Sequence, residues 1–508
     1  MVSGCGFPHP ETTRCQDALD RHAADTMVHM AHRNRYTRAA ATAALLAVGG
    51  SALLPAGAAS AATPQTAASG AGPLDGVWRM NGYGTVLAVD HGRLRTFQTT
   101  AVSCLPGEVA EQSGPTAGDG TATYTTLGED VLTVRPAARA DRAVLHIAGS
   151  PNDRGLRRID ALPAACTRTA PSDPVAVFET FWRTFAENYP FFAAKGVNWQ
   201  AVHDRYRPRV TATTSDDQLF SVLRDMVAPL HDAHVHLDGG EPSRRFGQGR
   251  PGTVAPSPDY DAKVKAYIKG RDLRGRPLQE FAGGRISYAD LPDGLGYLRI
   301  SGFGGYTADR NDPYASDEKV LDQTLDAILT PGRTAALKGL VIDLRVNGGG
   351  YDDLGLRIAS RLTDRPYLAY AKRYRDDPGD PARFSRPQPI TVRPADAPRY
   401  SGPLALLTGG STVSAGETFT QALFGRPGTT VRIGENTQGV FSDVMDRELP
   451  NGWTFGLPNE EFLTRDGRTF DGAGIPPDLR EPVFTDGEFG HRRDSAFDAA
   501  VALLSRRT

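Results

Sequence analysis

Three stretches of the 508-residue sequence hold side chains suited to catalysis. In Thr408-Gly409-Gly410-Ser411-Thr412-Val413-Ser414-Ala415-Gly416-Glu417, a buried apolar run (Pro403 to Thr408) gives way to a helix from about Ser414 to Phe424. A serine at such a junction holds its hydroxyl at the helix amino end, where free backbone N–H groups stabilise an oxyanion. Read alone, Ser411 and Ser414 are more simply helix caps. The spacing is not the G-x-S-x-G of the α/β-hydrolases, since position 412 is Thr. The second stretch, Asn347-Gly348-Gly349-Gly350, follows another apolar run, and its glycines let backbone approach a ligand closely. It meets neither spacing of the phosphate-binding loops. The third, Leu230-His231-Asp232-Ala233-His234-Val235-His236-Leu237, supplies imidazoles that titrate near neutrality and serve as general bases. Three His and one Asp also suit a zinc shell, hence a metallo-hydrolase at His231, His234 and His236. Alternation in an extended segment opposes His231 to the other two, and no further His occurs before His491, so distant carboxylates would have to complete such a shell.

These stretches need elements to carry them. Apolar strands (Gly294–Ile300, Gly339–Arg345 and Pro403–Thr408) alternate with helices at Asp317–Leu329, Leu354–Leu362 and Ser414–Phe424. This predicts a largely parallel sheet covered on both faces, over 260–508 and ending in a helix. Before it, Ser172-Asp173-Pro174 starts a helix whose Phe178, Phe181, Trp182 and Phe185 form a core face. A second helix fits Asp216–Val227, so 172–237 reads as a helical segment ending in the His motif. Residues 238–259, rich in Gly, Pro and Arg, read as a surface loop. Residues 74–169 read as a small β sandwich or barrel, with strands at Val77–Met80, Thr85–Val89, Leu94–Phe97, Ala122–Thr125 and Ala143–Ile147.

Residues 1–61 differ in texture. Arg33, Arg35 and Arg38 precede the apolar run Ala39–Leu54 and the small-residue end Ala59-Ser60-Ala61, the pattern of a secretory signal peptide over about 27–61. The expectation is bacterial export, a working start at Met27 or Met30, a mature chain from Ala62 and no lasting membrane span. Cleavage would leave Cys104 and Cys166, which should pair in an oxidising compartment. A net charge of -2, with 40% hydrophobic and 23% charged residues, excludes a disordered chain, a multi-span membrane protein and a basic nucleic-acid binder.

Four blocks occur in register: Leu230-x-Asp232-x-His234; Gly339 through Gly350; Ser414-Ala415-Gly416-Glu417; and Gly472-x-Gly474-Ile475-Pro476-Pro477-Asp478. Together they resemble the serine peptidase family of tricorn core proteases, carboxy-terminal processing proteases and the interphotoreceptor retinoid-binding protein. The resemblance spans about 173–482 and implies a crotonase-like (ClpP/crotonase) α/β core. In the processing branch the base is a Lys within Gly-x-x-Thr-x-Gly-Lys; here that stretch reads Gly434-Glu435-Asn436-Thr437-Gln438-Gly439-Val440, and no Lys follows Lys372. In the tricorn-like branch the base is the His of the first block, here His234. The resemblance then implies Ser414 as nucleophile, Asp471 as the acid orienting His234, and Gly349 and Ala415 N–H groups as the oxyanion hole. Gly348 and Glu417 would support them, without metal or cofactor, on peptide or protein substrates. Two departures stand out: Ala233 replaces tricorn's Ser, and Asp471 is one methylene shorter than the usual Glu. The 55 or so residues between Leu237 and Gly294 leave no room for a PDZ domain of about 80 to 100 residues. A non-catalytic retinoid- or lipid-like carrier on the same core is the alternative.

Overall fold

Period-two alternation of apolar residues closes the first strands into a barrel. In the computed structural model, which describes residues 72–309 and 312–506, eight antiparallel strands form it. They are β1 (Gly76–Met80), β2 (Thr85–Asp90), β3 (Arg93–Thr99), β4 (Cys104–Gln112), β5 (Ala122–Thr126), β6 (Val131–Pro136), β7 (Arg142–Ile147) and β8 (Asp153–Ile159). Trp78, Leu87, Leu94, Tyr124, Val134, Leu145 and Leu156 fill its interior. β1 pairs with both β2 and β8, so no edge is left open. The expected leader (1–61), its signal segment, Cys5 and Cys15 lie outside the described residues.

Cys104 opens β4 and is joined to Cys166, in a short 3-10 turn after β8. The bridge spans 62 positions, enough to remove about 4 kcal/mol of unfolded-state entropy on the loop-closure model. Reduction, or a Cys166→Ser variant, should therefore lower the denaturant midpoint of barrel unfolding, read by Trp78 fluorescence. An unchanged midpoint would show that the loop is constrained by other contacts.

The helical segment forms for local reasons visible in its caps. Asp173 Oδ1 accepts the Val175 and Ala176 N–H groups (3.0 and 3.2 Å), with Pro174 at the first position of helix Pro174–Asn188. Ser215 and Gln218 form a capping box on helix Asp216–Val227. The aromatic face of the first helix is core, with Phe181 and Phe185 against Phe455 at ring distances of 5.0 and 5.9 Å. A 3-10 turn (Ala228–Leu230) and a left-handed His231 (φ 47°) then swing the chain into the His motif.

A seven-stranded mixed sheet follows, in the order Gln279–Phe281, Ile286–Asp290, Leu295–Ile300, Gly339–Asp343, Leu404–Thr408, Thr430–Gly434, Leu479–Arg480. Its first two pairings are antiparallel and the rest parallel. Alternate residues feed two apolar clusters, one per face. Leu340, Ile342, Leu404 and Leu406 pack with helices Pro313–Ile328, Asp352–Ser360 and Ala415–Ala422. Val341, Ala405 and Leu407 pack with helices Pro258–Arg271 and Ser495–Ser505. Arg345, wholly buried, clamps Asp343 (3.0 and 2.7 Å) and Asp494 (2.6 Å), which fixes the strand end leading to the glycine turn.

The stretch 238–259 is not merely a loop. Arg245–Gly247 pairs with His236–Asp238, which pairs with Thr454–Pro458 and that with Val444–Glu448. The His motif thus opens a four-stranded sheet, and the strand is short enough (three residues) to leave little pattern in the sequence. Among the described residues, no helix is long and apolar enough to cross a membrane.

Candidate active site

Ser414 sits where the strand Leu404–Thr408 turns into the helix Ala415–Ala422, held by a two-residue parallel pairing of Ser411–Thr412 with Val346–Asn347. Its backbone is left-handed with φ 56° and ψ −121°, a conformation a non-glycine residue adopts only when its surroundings enforce it. The enforcing contacts are specific. The Ser414 N–H is shared by the Val440 carbonyl (3.1 Å) and Glu417 Oε2 (3.3 Å), and Thr418 N–H returns to the Ser414 carbonyl (3.0 Å). The residue is half-buried, which leaves the hydroxyl reachable.

The glycine turn abuts it. Gly349 has φ +82°, and a Cβ there would lie 2.7 Å from Ser414 Cβ and 3.1 Å from its Oγ, so only glycine fits. Its N–H is donated to Asn347 Oδ1 (2.9 Å), and that of Gly348 to the Ser301 carbonyl (3.2 Å). Asn347 is anchored through Nδ2 to the Ile300 carbonyl (2.8 Å). Ala415 is the first residue of its helix, a position whose N–H has no partner within the helix.

Glu417 is fully buried and holds the loop that carries Val440, taking the N–H groups of Gly439 (2.7 Å) and Val440 (2.8 Å). Burial pushes its carboxyl up to about 7, against hydrogen bonds that favour the ionised form. The Gly472–Asp478 block clamps the same loop from outside. Ile475 N–H reaches Thr437 Oγ1 (2.7 Å) and Gly472 N–H the Gly439 carbonyl (2.7 Å). Gly474 (φ +73°) lies so close to Thr437 that a Cβ would fall 2.0 Å from its carbonyl oxygen.

For Glu417 the native pKa lies above the unfolded carboxyl value near 4.3, so between the two the native state binds more protons. Its contribution to stability is therefore full below about 4 and declines as pH rises through about 7. A Glu417→Gln variant should show a flatter fall in urea midpoint between pH 5 and 7.5 than the parent. Equal slopes would remove Glu417 as a source of that dependence.

His234 is buried, at 8% exposure, and its backbone N–H donates to Asp232 Oδ1 (3.0 Å). Asp232 Oδ2 in turn accepts the Tyr189 hydroxyl (2.9 Å). The ring nitrogen Nδ1 is buried and has no hydrogen-bond partner. Burial lowers the imidazole pKa, and the carboxylates of Asp232 and Asp443 oppose that fall. Asp471 is engaged elsewhere: it accepts the Thr469 hydroxyl (2.5 Å) and the Phe441 N–H (3.3 Å). Burial, with Asp232 and Glu417 nearby, holds its carboxyl well above the usual range.

The structure thus gathers Ser414, Ala415, Glu417 and the Gly348–Gly349 turn into one constellation. Among the described residues no hydrogen bond joins Ser414 to His234, or His234 to Asp471. His231 is exposed and His236 faces Asp446 (3.4 Å). Among the described residues, no group of three or more His, Cys, Asp or Glu is arranged to hold a metal ion. The sequence reading did not single out Lys372, whose ammonium is buried with Glu460 (3.0 Å), Asp443 (3.5 Å) and Asp352 (3.8 Å). The only hint was its standing as the last lysine of the chain.

Residues 294–480 match the model of peptidase family S41, and residues 173–228 match that of the tricorn protease C1 domain. No curated protein matches the chain. Among solved structures, a candidate peptidase from Parabacteroides merdae is similar at 27% identity and TM-score 0.51, over 66% of this chain and 97% of its own. The photosystem II D1 C-terminal processing protease is similar at 19% identity and TM-score 0.40, over 65% of this chain and 99% of that one. The tricorn protease follows at 15% identity and TM-score 0.39, over 84% and 46%. Together with the strand-serine-helix junction and the glycine turn against it, the family-model matches identify residues 294–480 as a peptidase family S41 core, a serine hydrolase, with a tricorn C1 segment ahead of it.

Proposed function

We propose that this protein is an exported peptidase of the tricorn-like branch, cutting peptide or protein substrates through an acyl-enzyme on Ser414 with His234 as base. We infer a crotonase-like core for it. The observation that carries the reading is the strained Ser414 pressed against the Gly349 turn. Val440 stands where the other branch has its lysine, and Lys372 does not substitute for it: burial lowers its pKa, but Asp443, Glu460 and Asp352 outweigh that, hold it above the ordinary value and keep it charged.

In this scheme neutral His234 takes the Ser414 Oγ proton as Oγ attacks the scissile carbonyl carbon. The oxyanion is met by the Ala415 N–H and by the Gly349 N–H once it leaves Asn347. Protonated His234 then gives its proton to the departing amine, and water, activated by the same imidazole, releases the acid product. Asp232 and Asp443 favour the imidazolium. Asp471, whose carboxyl burial holds well above its usual range, fits the support of the 437–441 loop better than the orienting role that the resemblance implies.

The test is hydrolysis of an unfolded protein substrate by residues 62–508, with inhibition by a serine-directed reagent and none by chelator. Retinol or fatty-acid binding without hydrolysis would favour the carrier; loss of activity with chelator would favour a metal site. Export is tested by amino-terminal sequencing of the protein from a culture medium, expected to begin at Ala62.

A further inference from the structure

We propose that the β-barrel is a working part of the catalytic centre: Arg154 and Tyr83 are positioning residues that hold a buried charge cluster between His234 and the Ser414 helix. The proposal rests on the Ser414/His234 reading.

The cluster is Lys372, Glu460, Asp443 and Asp352, and it is short of positive charge. One ammonium faces three carboxyl groups within 3.8 Å, of which burial raises that of Asp352 to about 7, and a buried carboxylate such as that of Glu460 is costly without a counter-charge. The barrel supplies what is missing. Arg154 Nη2 lies 3.6 Å from Asp443 Oδ2, its guanidinium stacked 4.4 Å over the Tyr83 ring. The Tyr83 hydroxyl donates to Glu460 Oε1 (2.5 Å), Asn152 Nδ2 donates to the same oxygen (3.3 Å), and Ser150 Oγ donates to Asp443 (3.4 Å).

Two routes lead from the cluster to the reacting groups. Asp352 Oδ1 accepts the Thr418 hydroxyl (2.6 Å), and Thr418 is the residue whose N–H closes the turn on the Ser414 carbonyl (3.0 Å). The other route is the four-stranded sheet, where His236, Gly456 and Asp446 stand in one row. Two residues further along, Pro458 pairs with Val444, so the sheet brings His234 and Asp443 to one end. The barrel also backs the glycine turn: Gly149 accepts the Asp353 N–H (3.3 Å), and a Cβ on it would strike Tyr351, the residue after Gly350.

The charged groups facing His234 are Asp232 on its own loop and Asp443 across the sheet; Arg154 and Lys372 face Asp443 in turn. Removing Arg154 leaves Asp443 less compensated, which favours the imidazolium. Removing Asp443 does the reverse. Arg154→Gln should therefore move the acid limb of the kcat/KM profile up by about half a pH unit, and Asp443→Asn should move it down by a similar amount. Tyr83→Phe, a gentler change, should lower kcat roughly threefold to tenfold with KM unchanged. A barrel that only stabilises the chain would lower yield or melting temperature without shifting the limb. Folded variants with an unmoved limb, alongside a wild-type limb that vanishes in the residual activity of His234→Ala, would overturn the proposal alone. A wild-type limb that persists in His234→Ala would overturn the base assignment, and this proposal with it.

Discussion

Removing either Ser414 or His234 should lower kcat/KM by about 10⁴, and removing both should cost scarcely more. A nucleophile and its base act as one unit, so the second loss finds little left to remove. A factor of 10⁴ corresponds to about 5.5 kcal/mol of transition-state stabilisation. The Ser414→Ala protein should keep its fold, because the contacts that bend this turn run through backbone N–H and carbonyl groups rather than the hydroxyl. The pH dependence follows from the same assignment. The working imidazole is neutral, and burial lowers its pKa below the ordinary 6.5 or so. Activity should therefore hold through neutrality and fall only on the acid side of about 6.5. Rate measurements on one peptide across pH 5 to 8, for the parent, each single variant and the double variant, check each part. Strict additivity of the two losses would show that the residues act separately.

Gly349→Ala should cost about 10² to 10³ in kcat/KM with a modest loss of stability. The new Cβ would stand 2.7 Å from Ser414 Cβ at a φ of +82°, so two penalties coincide. The backbone penalty is about 1 to 2 kcal/mol for an L-residue held in the left-handed region. The steric one is relieved only by moving the turn away from Ser414. That displacement takes an oxyanion donor out of reach, and loss of one such donor is worth roughly 10² to 10³ in rate. Because the substrate carbonyl is held less well only as charge develops, kcat should fall and KM stay nearly constant. A proportionate rise in KM with kcat preserved would place Gly349 in substrate binding instead.

Much of this site was legible because its parts are local. The strand-to-helix passage at Ser414, the Asp173 and Ser215 caps and the apolar sheet strands are set by residues a few positions apart. The barrel was read through Thr85–Val89 and similar runs, whereas β4, β6 and β8 were missed. β4 begins Cys-Leu-Pro-Gly, where Pro and Gly speak against a strand, and β8 is Arg-rich with a single fully buried residue, Leu156. The charge cluster was not legible at all, since Tyr83, Arg154, Lys372 and Glu460 converge from across the chain. Lys372 follows a bulge between Leu368 and Tyr370, after which Tyr370, Lys372 and Tyr374 share the buried face. A simple count along the strand cannot reveal that. Asp471 is the converse case: its place in a family motif implies a role toward His234, and the hydrogen bonds the structure gives it go to Thr469 and Phe441.

The central assignment is the pairing of Ser414 with His234, and the direct measurement is labelling of the mature protein by a fluorophosphonate probe, followed by peptide mapping. A single adduct on Ser414, lost in His234→Ala and insensitive to chelator, is the result predicted. A folded wild-type protein that takes no label, or takes it on another residue, would contradict the assignment.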